Sequence, residues 1–161
     1  ALDAPMPASP RMAANTYFDS LPADQLDRTG GTLVEFERNG FRSRVVQIEA
    51  GQVAIFTLPV KAEVVGALVS MGPRTGYMDI RINDVESIIC CYDKHCYYQR
   101  IGARPLPPRT SDRITVVQGS KIPDIMLEKG KKDMNPRIGG VSHFLIKSAW
   151  AGQGPRAPGL H

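Results

Sequence analysis

The dipeptide Asn39-Gly40 lies in the middle of the segment Thr32–Glu49, TLVEFERNGFRSRVVQIE, and constrains the fold more than any other feature of the chain. A two-residue type I′ turn needs positive φ at both central positions, which Asn and Gly tolerate best. The register that such a turn sets pairs Arg38 with Phe41, Glu37 with Arg42, Phe36 with Ser43, and Glu35 with Arg44. Both opposite-charge pairs then lie on one face, and the apolar residues lie on the other. The segment is therefore predicted to form an antiparallel hairpin.

Short runs rich in Val, Ile, Phe and Tyr follow the hairpin and are separated by turn residues. The predicted strands are Gln52–Leu58, Glu63–Met71, Tyr77–Asn83, Val85–Tyr92, His95–Gly102, Arg113–Gln118, Ile125–Glu128 and Val141–Ala149. A Pro- and Arg-rich segment, GARPLPPRTS, is predicted to form a loop before Arg113. Trp150 is expected to seal the end of the last strand. No apolar period of helical length occurs between Gly30 and Trp150, and one short helical turn is expected around Pro22. About ten short strands with little helix predict an all-β fold, an antiparallel β-sandwich of the jelly-roll type.

The length of 161 residues is typical of one domain. Residues 1–14 and 151–161 are rich in Pro, Gly and Ala and are predicted to be extended tails, which leaves a single β-sandwich domain at 15–150. No apolar run approaches the ~20 residues of a membrane-spanning helix. The start, ALDAPMPASP, is compatible with loss of the initiator Met or with cleavage from a signal peptide or larger precursor, and its small residues favour cleavage.

Charge is distributed unevenly along the chain. The net charge is +4, but residues 1–93 carry eight Lys or Arg against twelve Asp or Glu, whereas residues 94–137 carry ten against four. This asymmetry indicates one acidic and one basic surface. A basic surface favours an anionic partner, such as an acidic polysaccharide, a lipid headgroup or an acidic protein. The alternative is that the charges only solvate loops.

All three cysteines lie in one segment, IICCYDKHCYYQR, at 88–100. A two-residue turn at Asp93-Lys94 would place Cys91 opposite Cys96 in a non-hydrogen-bonded pair, whose Cβ atoms approach to about 4.5–5.5 Å. That separation permits a cross-strand disulfide, so a Cys91–Cys96 bridge and an oxidising compartment are predicted. Cys90 would point to the opposite face and is expected to be a small buried apolar residue.

Two other interpretations of this segment compete with the disulfide. Zinc could be held by Cys91, His95, Cys96 and His143, although the spacing lacks the paired CxxC ligands of structural zinc sites. A catalytic thiol would need a His base on the same face, whereas His95 and Cys96 are adjacent on the predicted strand and project to opposite faces. The sequence also contains no GxSxG, P-loop, HExxH or EF-hand motif. We therefore expect no catalysis, no cofactor and no metal.

Aromatic and polar side chains on the predicted strands form a candidate ligand-binding set. Its members are Tyr77, Asp79, Arg81, Tyr97 and Gln99, to which Tyr92 could add. Rings of this kind can stack on the apolar face of a sugar while charged and amide groups bond its hydroxyls, so the set indicates a glycan site. The competing interpretation is that the tyrosines close the edge of the core with their hydroxyls in water. Asp79 and Glu86 could approach each other as paired carboxylates, although a solvated sheet face is their commoner role.

A basic series follows in the second half of the chain and forms a candidate surface for an anion or a partner. Its members are Arg100, Arg104, Arg109, Arg113, Lys129, Lys131, Lys132 and Arg137. Cations of this kind bind carboxylate or phosphate groups. Specific nucleic-acid binding is not expected, because the loop that carries the lysines has no aromatic residues for base stacking.

The strand pattern resembles that of jelly-roll accessory modules of secreted carbohydrate-active proteins, at the level of fold alone. The leading hypothesis is a noncatalytic, secreted or periplasmic β-sandwich module that binds an anionic glycan or a cell-envelope component. The alternative is a structural subunit of a larger envelope assembly, with its tails and basic edge against acidic neighbours. A small enzyme centred on the Cys and His residues of the cysteine segment is the third hypothesis.

Overall fold

The computed structural model of the protein describes residues 18–147, which form nine β-strands and a single 3₁₀ turn, Ala23–Gln25. The strands are β1 (Phe18–Pro22), β2 (Asp27–Thr29), β3 (Thr32–Arg38), β4 (Phe41–Glu49), β5 (Val53–Met71), β6 (Tyr77–Ile82), β7 (Val85–Cys90), β8 (Arg100–Gln118) and β9 (Ile138–Lys147). The tails predicted at 1–14 and 151–161, and Trp150, lie outside the described residues. Within 18–147, no helix has the length and apolar character needed to cross a lipid bilayer.

Two long strands, β5 and β8, organise the nine strands into two layers. They are each 19 residues long and pair antiparallel from Val53 opposite Val117 to Met71 opposite Arg100. In the first layer, the start of β5 pairs with β2, the end of β8 pairs with β6, and β6 pairs with β7. In the second layer, their other halves are joined by β9, β4, β3 and β1. All pairings are antiparallel, and the prediction of an all-β sandwich is confirmed.

β5 passes from one layer to the other near Pro59. Proline has no N–H to donate to a strand ladder, and the register of β5 against β8 shifts between Thr57 and Ala62. We predicted two strands separated by Pro59, but the structure has one strand whose ladder is interrupted there. The Pro-rich stretch predicted as a loop is likewise part of β8, which begins at Arg100. These differences account for most of the change from ten predicted strands to nine.

The side chains of β6 alternate between the core and the outer face of the first layer, as predicted. The buried ones are Met78, Ile80 and Ile82, and the outward ones are Tyr77, Asp79 and Arg81. This alternation follows from the two-residue period of a strand with one face in water. It fixes which residues of this strand can meet a ligand.

The hairpin of β3 and β4 has the predicted register, with Arg38 opposite Phe41 and Val34 opposite Val45. Asn39 and Gly40 both have positive φ, 51° and 78°, as a type I′ turn requires. Of the two predicted ion pairs, Glu37 bonds Arg42 at 3.6 Å. The other prediction was wrong in its partner, because Arg44 instead lies 3.2 Å from Asp24, just after β1.

The end of this hairpin leaves the second layer and lies across its outer face. β4 pairs with β9 only over Val46–Glu49, and β1 occupies the same side of β9 beyond that point. From Val45 towards the turn, the hairpin therefore has no free edge of β9 with which to pair. Its last residue before the turn, Arg38, stacks on Tyr98, which precedes β8. Since β4, β9 and β5 separate β3 from β8 in the sheet, this contact requires the hairpin to bend across the face.

The predicted hairpin around Asp93-Lys94 is wrong. Residues 91–99 form an irregular loop, and β7 pairs only with β6 in the described part of the chain. The cross-strand geometry on which the Cys91–Cys96 disulfide depended is therefore absent, and all three cysteines are free. Ile125–Glu128, which we predicted as a strand, lies in the irregular segment between β8 and β9.

We expect Phe144→Ala to be among the most destabilising single changes in this core. Phe144 of the second layer is fully buried and meets Phe56 of the first layer edge to face, with ring centroids 5.0 Å apart. Its truncation should lower the free energy of unfolding by about 3–5 kcal/mol in urea titrations. Phe41→Ala, at a ring that is 67% exposed, is the matched control. A similar small loss for both variants would contradict the two-layer packing.

Candidate functional site

A polar cleft lies on the outer face of the second layer, beside the base of the hairpin. It has a volume of about 280 Å³, near the lower end of the range for small-molecule pockets. The residues that line it are Val45, Gln47, Ser70, Gly72, Pro73, Arg74, Thr75, Gln99, Ile138 and Gly139. They come from β4, β5, β9, the turn after β5 and the loop before β8, so the cleft depends on the complete fold of this layer.

The floor and walls of the cleft carry uncharged polar groups. The Nε2 of Gln99 donates to the Oγ of Ser70 at 2.8 Å, which orients the amide across the floor. Gln47 points outward from β4 because its neighbours Val46 and Ile48 point into the core. Amides of this kind offer both donors and acceptors, which is the combination that pairs with hydroxyl groups.

The turn from Gly72 to Gly76 closes one end of the cleft. The hydroxyl of Thr75 donates to the carbonyl of Cys91 at 2.5 Å, and its oxygen also lies 2.9 Å from the carbonyl oxygen of Gly72. The guanidinium of Arg74 donates twice to the carbonyl of Pro136, at 3.1 and 3.3 Å. Gly72 approaches the backbone of Gln99 so closely that a Cβ would lie 3.0 Å from its Cα. This wall is therefore hydrogen-bonded to two separate parts of the chain and packs closely against a third.

Arg137 fixes the same turn from behind, and its predicted role in anion binding is wrong. The side chain is fully buried. Its guanidinium donates to the carbonyls of Pro73 at 2.9 Å, Thr75 at 3.3 Å and Asn135 at 2.6 Å, and also to that of Asp133. Because the N–H groups of Arg137 are bonded to these carbonyls, the residue holds the segment before β9 against the turn. Its buried side chain is not accessible to a ligand.

Tyr98 precedes the cleft residue Gln99, and its backbone lies beside the cleft, because a Cβ on Gly72 would come within 3.4 Å of its carbonyl oxygen. Its side chain is 43% exposed. The guanidinium carbon of Arg38 lies 3.7 Å from the centre of its ring, and that of Arg100 lies 5.9 Å away. Arg38, Gln47, Ser70 and Tyr98 were not predicted as site residues from the sequence. The hairpin register places Arg38 on the face of Val34 and Phe36, but it gives no partner for Arg38 on a distant strand.

The predicted ligand-binding set is divided between two regions. Tyr77, Asp79 and Arg81 lie along the outer face of the first layer, whereas Tyr97 and Gln99 lie in the loop before β8. Only Gln99 lines the cleft. The hydroxyl of Tyr97 accepts a hydrogen bond from the backbone N–H of Lys129 at 2.6 Å and so joins two loops. Tyr92 is buried.

The charged members of the set on β6 bond one another. Arg81 lies 2.7 Å from Asp79 and 3.1 Å from Glu86, so Asp79 and Glu86 do approach as the sequence suggested, with a cation between them. A hydrogen bond with Asp79 raises the pKa of the Arg81 guanidinium, and the neighbouring Asp79 carboxyl also raises the pKa of Glu86. Such a mutually compensated cluster leaves little charge for a ligand.

The rest of the predicted basic series does not form one surface. Arg104 donates to the carbonyl of Cys90 at 2.6 Å, and Arg100 bonds Asp93 at 2.5 Å. Lys132 donates to the carbonyl of Pro123 at 2.8 Å. The exposed members are Arg109, Arg113, Lys129 and Lys131. The series therefore supplies internal hydrogen bonds at several positions and exposed surface charges at the others.

The cysteine segment lacks the geometry of a nucleophile or a zinc site. Burial raises the pKa of the Cys91 thiol to about 12 and also raises that of Cys96. His95 is exposed and its Nδ1 lies 3.2 Å from a carboxylate oxygen of Glu128. Among residues 18–147, no three His, Cys, Asp or Glu side chains are arranged to hold a metal ion. Cys91 and Cys96 pack in the interior, and Cys90, predicted to be buried, is half-buried.

We predict that Cys91 makes the stability of the protein fall above pH 9. Its thiol has an ordinary pKa near 9.0 and a pKa of about 12 in the fold, so the unfolded chain loses this proton first. The contribution is complete below pH 9 and is lost as the pH rises towards about 12. Between pH 8 and pH 10, the free energy of unfolding should fall by about 1 kcal/mol more in the natural chain than in Cys91→Ala. Parallel pH profiles in urea titrations would contradict this.

We also predict a structural role for Arg137. Arg137→Met keeps the apolar stem but leaves four carbonyl acceptors without their donor. Hydrogen bonds to a charged group contribute about 1.5–3 kcal/mol each, so the free energy of unfolding should fall by about 3 kcal/mol or more. Arg109→Met, at an exposed site, should change it by less than about 0.5 kcal/mol. Denaturant titrations of the two variants decide between structural and surface roles.

Comparisons with known proteins give a likeness of fold and no family. No protein-family model matches the chain, and no curated protein matches it. The catalytic unit of a thermostable GH87 alpha-1,3-glucanase from Streptomyces thermodiastaticus has a similar structure, with a TM-score of 0.50 and 16% identity over 88% of this chain. The match spans 28% of that unit.

Two smaller solved structures are also similar over most of their length. The CBM36-1 domain of a multidomain xylanase from the hindgut metagenome of Trinervitermes trinervoides has a TM-score of 0.49 and 8% identity, covering 83% of this chain and 98% of that domain. CsCBM6-3 from Clostridium stercorarium, in complex with cellobiose, has a TM-score of 0.45 and 14% identity, covering 82% of this chain and 95% of that one. At these identities the likeness concerns the fold alone.

Proposed function

We propose that this protein is a noncatalytic glycan-binding module and that the cleft beside the hairpin holds the sugar. The observation that carries the proposal is the composition of the cleft, which is lined by two amide residues, Gln47 and Gln99, and two hydroxyl residues, Ser70 and Thr75. Neutral donors and acceptors at fixed positions match the hydroxyl pattern of a sugar ring, and they give orientation without the cost of desolvating a charge.

The apolar part of the cleft supports the same class of ligand. Val45 and Ile138 are among its lining residues, and the loop that supplies Gln99 also carries the exposed ring of Tyr98. A sugar has apolar faces as well as hydroxyl edges, so a site with both kinds of surface suits it better than a uniformly polar one. Arg38 covers one face of the Tyr98 ring. A ligand would therefore contact the edge or the other face of this ring.

The lining argues against catalysis in the cleft. Among the described residues that line it there is no Asp, Glu, His or Cys. Hydrolysis of a glycosidic bond needs a carboxyl pair or an equivalent acid and base across the bond. Ser70 is engaged with Gln99 and has no imidazole beside it to act as a base. A glycan held here would be bound and released unchanged.

The finer parts of the proposal are an anionic glycan and a location outside the cytoplasm. Arg74 lines the cleft, and Arg38 lies on Tyr98, the chain neighbour of the lining residue Gln99, so the potential near the cleft favours a ligand with negative charge. We also propose a secreted or periplasmic location, because the protein would meet such a glycan there.

Affinity electrophoresis and calorimetry with soluble polysaccharides test the proposal. The panel comprises polygalacturonate, alginate, xylan and a neutral β-glucan. We expect at least one of the acidic polymers to bind, with no release of reducing ends on long incubation. The double variant Gln47→Ala, Gln99→Ala should weaken binding about tenfold, because it removes two neutral hydrogen-bonding groups.

The matched control lies on the opposite face of the sandwich. Tyr77→Ala and Arg81→Ala alter the outer face of the first layer and should leave the affinity unchanged. Loss of binding in these variants but not in the glutamine variant would move the site to β6 and make the cleft assignment wrong. A chain that binds none of the polymers, but associates with itself during gel filtration, would instead favour the structural-subunit alternative.

A further inference from the structure

Arg38 is unusual among the arginines of the hairpin because its charge is not compensated. Arg42 is paired with Glu37, and Arg44 is paired with Asp24. Within residues 18–147, Arg38 has no ion pair and no side-chain hydrogen bond, and its contact is the ring of Tyr98. A guanidinium carries five N–H donors in one plane. Those of Arg38 are therefore available to a ligand.

Stacking on Tyr98 also holds this guanidinium in place. The distance of 3.7 Å from the guanidinium carbon to the ring centre is a close contact over the ring, and guanidinium groups at such distances stack their plane on the aromatic face. The N–H groups then project from the edge of the stack and not into the ring. The guanidinium carbon of Arg100 lies 5.9 Å from the centre of the same ring, but Arg100 is bonded to Asp93, so its N–H donors are not free in the same way.

The position of the stack connects it to the cleft. Tyr98 precedes Gln99, whose side chain lies on the cleft floor, and the hairpin that ends at Arg38 also supplies Val45 and Gln47 to the wall. A ligand seated against Gln47 and Gln99 would meet the free edge of the guanidinium as it leaves the cleft. A guanidinium with two parallel N–H donors binds a carboxylate best, because each donor can bond one of the two carboxylate oxygens.

We propose that Arg38, held by Tyr98, is the specificity-determining residue that binds the carboxylate of a uronic acid unit in the bound glycan. This inference rests on the proposed function, since it assigns a chemical class to the ligand of the same cleft. Arg38 selects between ligands, and the amides of the cleft supply binding that is common to acidic and neutral sugars. The acidic ligand gains a charge-assisted pair that a neutral or esterified one cannot form.

Calorimetry with three matched probes tests this assignment: trigalacturonate, its methyl ester and a sulfated neutral trisaccharide. We expect Arg38→Gln to lower the affinity for trigalacturonate roughly ten- to a hundredfold and to leave the affinity for the methyl ester unchanged. Arg38→Lys keeps the charge but not the two parallel N–H donors and should recover only a small part of the loss. Tyr98→Leu removes the support for the guanidinium and should weaken trigalacturonate binding in the same direction.

Arg42→Gln is the control, because it removes one positive charge from the opposite face of the same hairpin. Equal losses in Arg38→Gln and Arg42→Gln would mean a general charge effect and would overturn the assignment. An equal loss for trigalacturonate and its ester would do so as well, since Arg38 would then act through the position of the hairpin.

A sulfated sugar bound as tightly as trigalacturonate, with the same dependence on Arg38, would overturn the carboxylate assignment in favour of anions in general. If the natural chain binds neither acidic nor esterified sugars, the proposed function itself fails. If it binds both and only Gln47 and Gln99 matter, the proposed function stands and the role of Arg38 is wrong.

Discussion

The backbone ladder between β5 and β8 is the constraint on which the rest of the structure depends. Each strand runs through both layers, so the hydrogen bonds of this one pair fix how the layers are placed relative to each other. The ladder also sets the floor of the cleft, because Ser70 lies opposite Ile101, two residues after Gln99. The bond between Gln99 and Ser70 is thus a consequence of strand register and not of an independent loop conformation.

Competition for one side of β9 creates the cleft. β9 has β5 on one side, and on the other it pairs first with β4 and then with β1. Since a strand has only one ladder on each side, the arrival of β1 forces the β3–β4 hairpin out of the layer beyond Val46. The displaced hairpin then covers the outer face, where an aromatic side chain, Tyr98, meets its end. The wall that the hairpin supplies therefore results from the pairing of β1 with β9 at another part of the layer.

The parts of the fold that the sequence predicted are those decided by near neighbours in the chain. The hairpin register follows from Asn39-Gly40 alone, and the faces of β6 follow from strict alternation. Continuity of β5 through Pro59 was not predictable in this way, because it depends on both flanking halves of the strand pairing with the distant strand β8. The same reason explains the cysteine segment, where Asp93 bonds Arg100 and no strand pairs with residues 91–99 to complete a hairpin. Of the candidate site, only Gln99 was found, since the others meet through contacts between distant strands.

The arginines show why a count of basic residues does not locate an anion site. Arg137, Arg100 and Arg38 carry the same group and were indistinguishable as charges in the sequence. In the fold, the first is surrounded by carbonyls, the second is neutralised by a carboxylate and the third is stacked on a ring. Carbonyls and carboxylates occupy the N–H donors of a guanidinium, whereas an aromatic face leaves its edge open. The capacity to bind an anion therefore depends on what already occupies the donors, and this is a property of long-range packing.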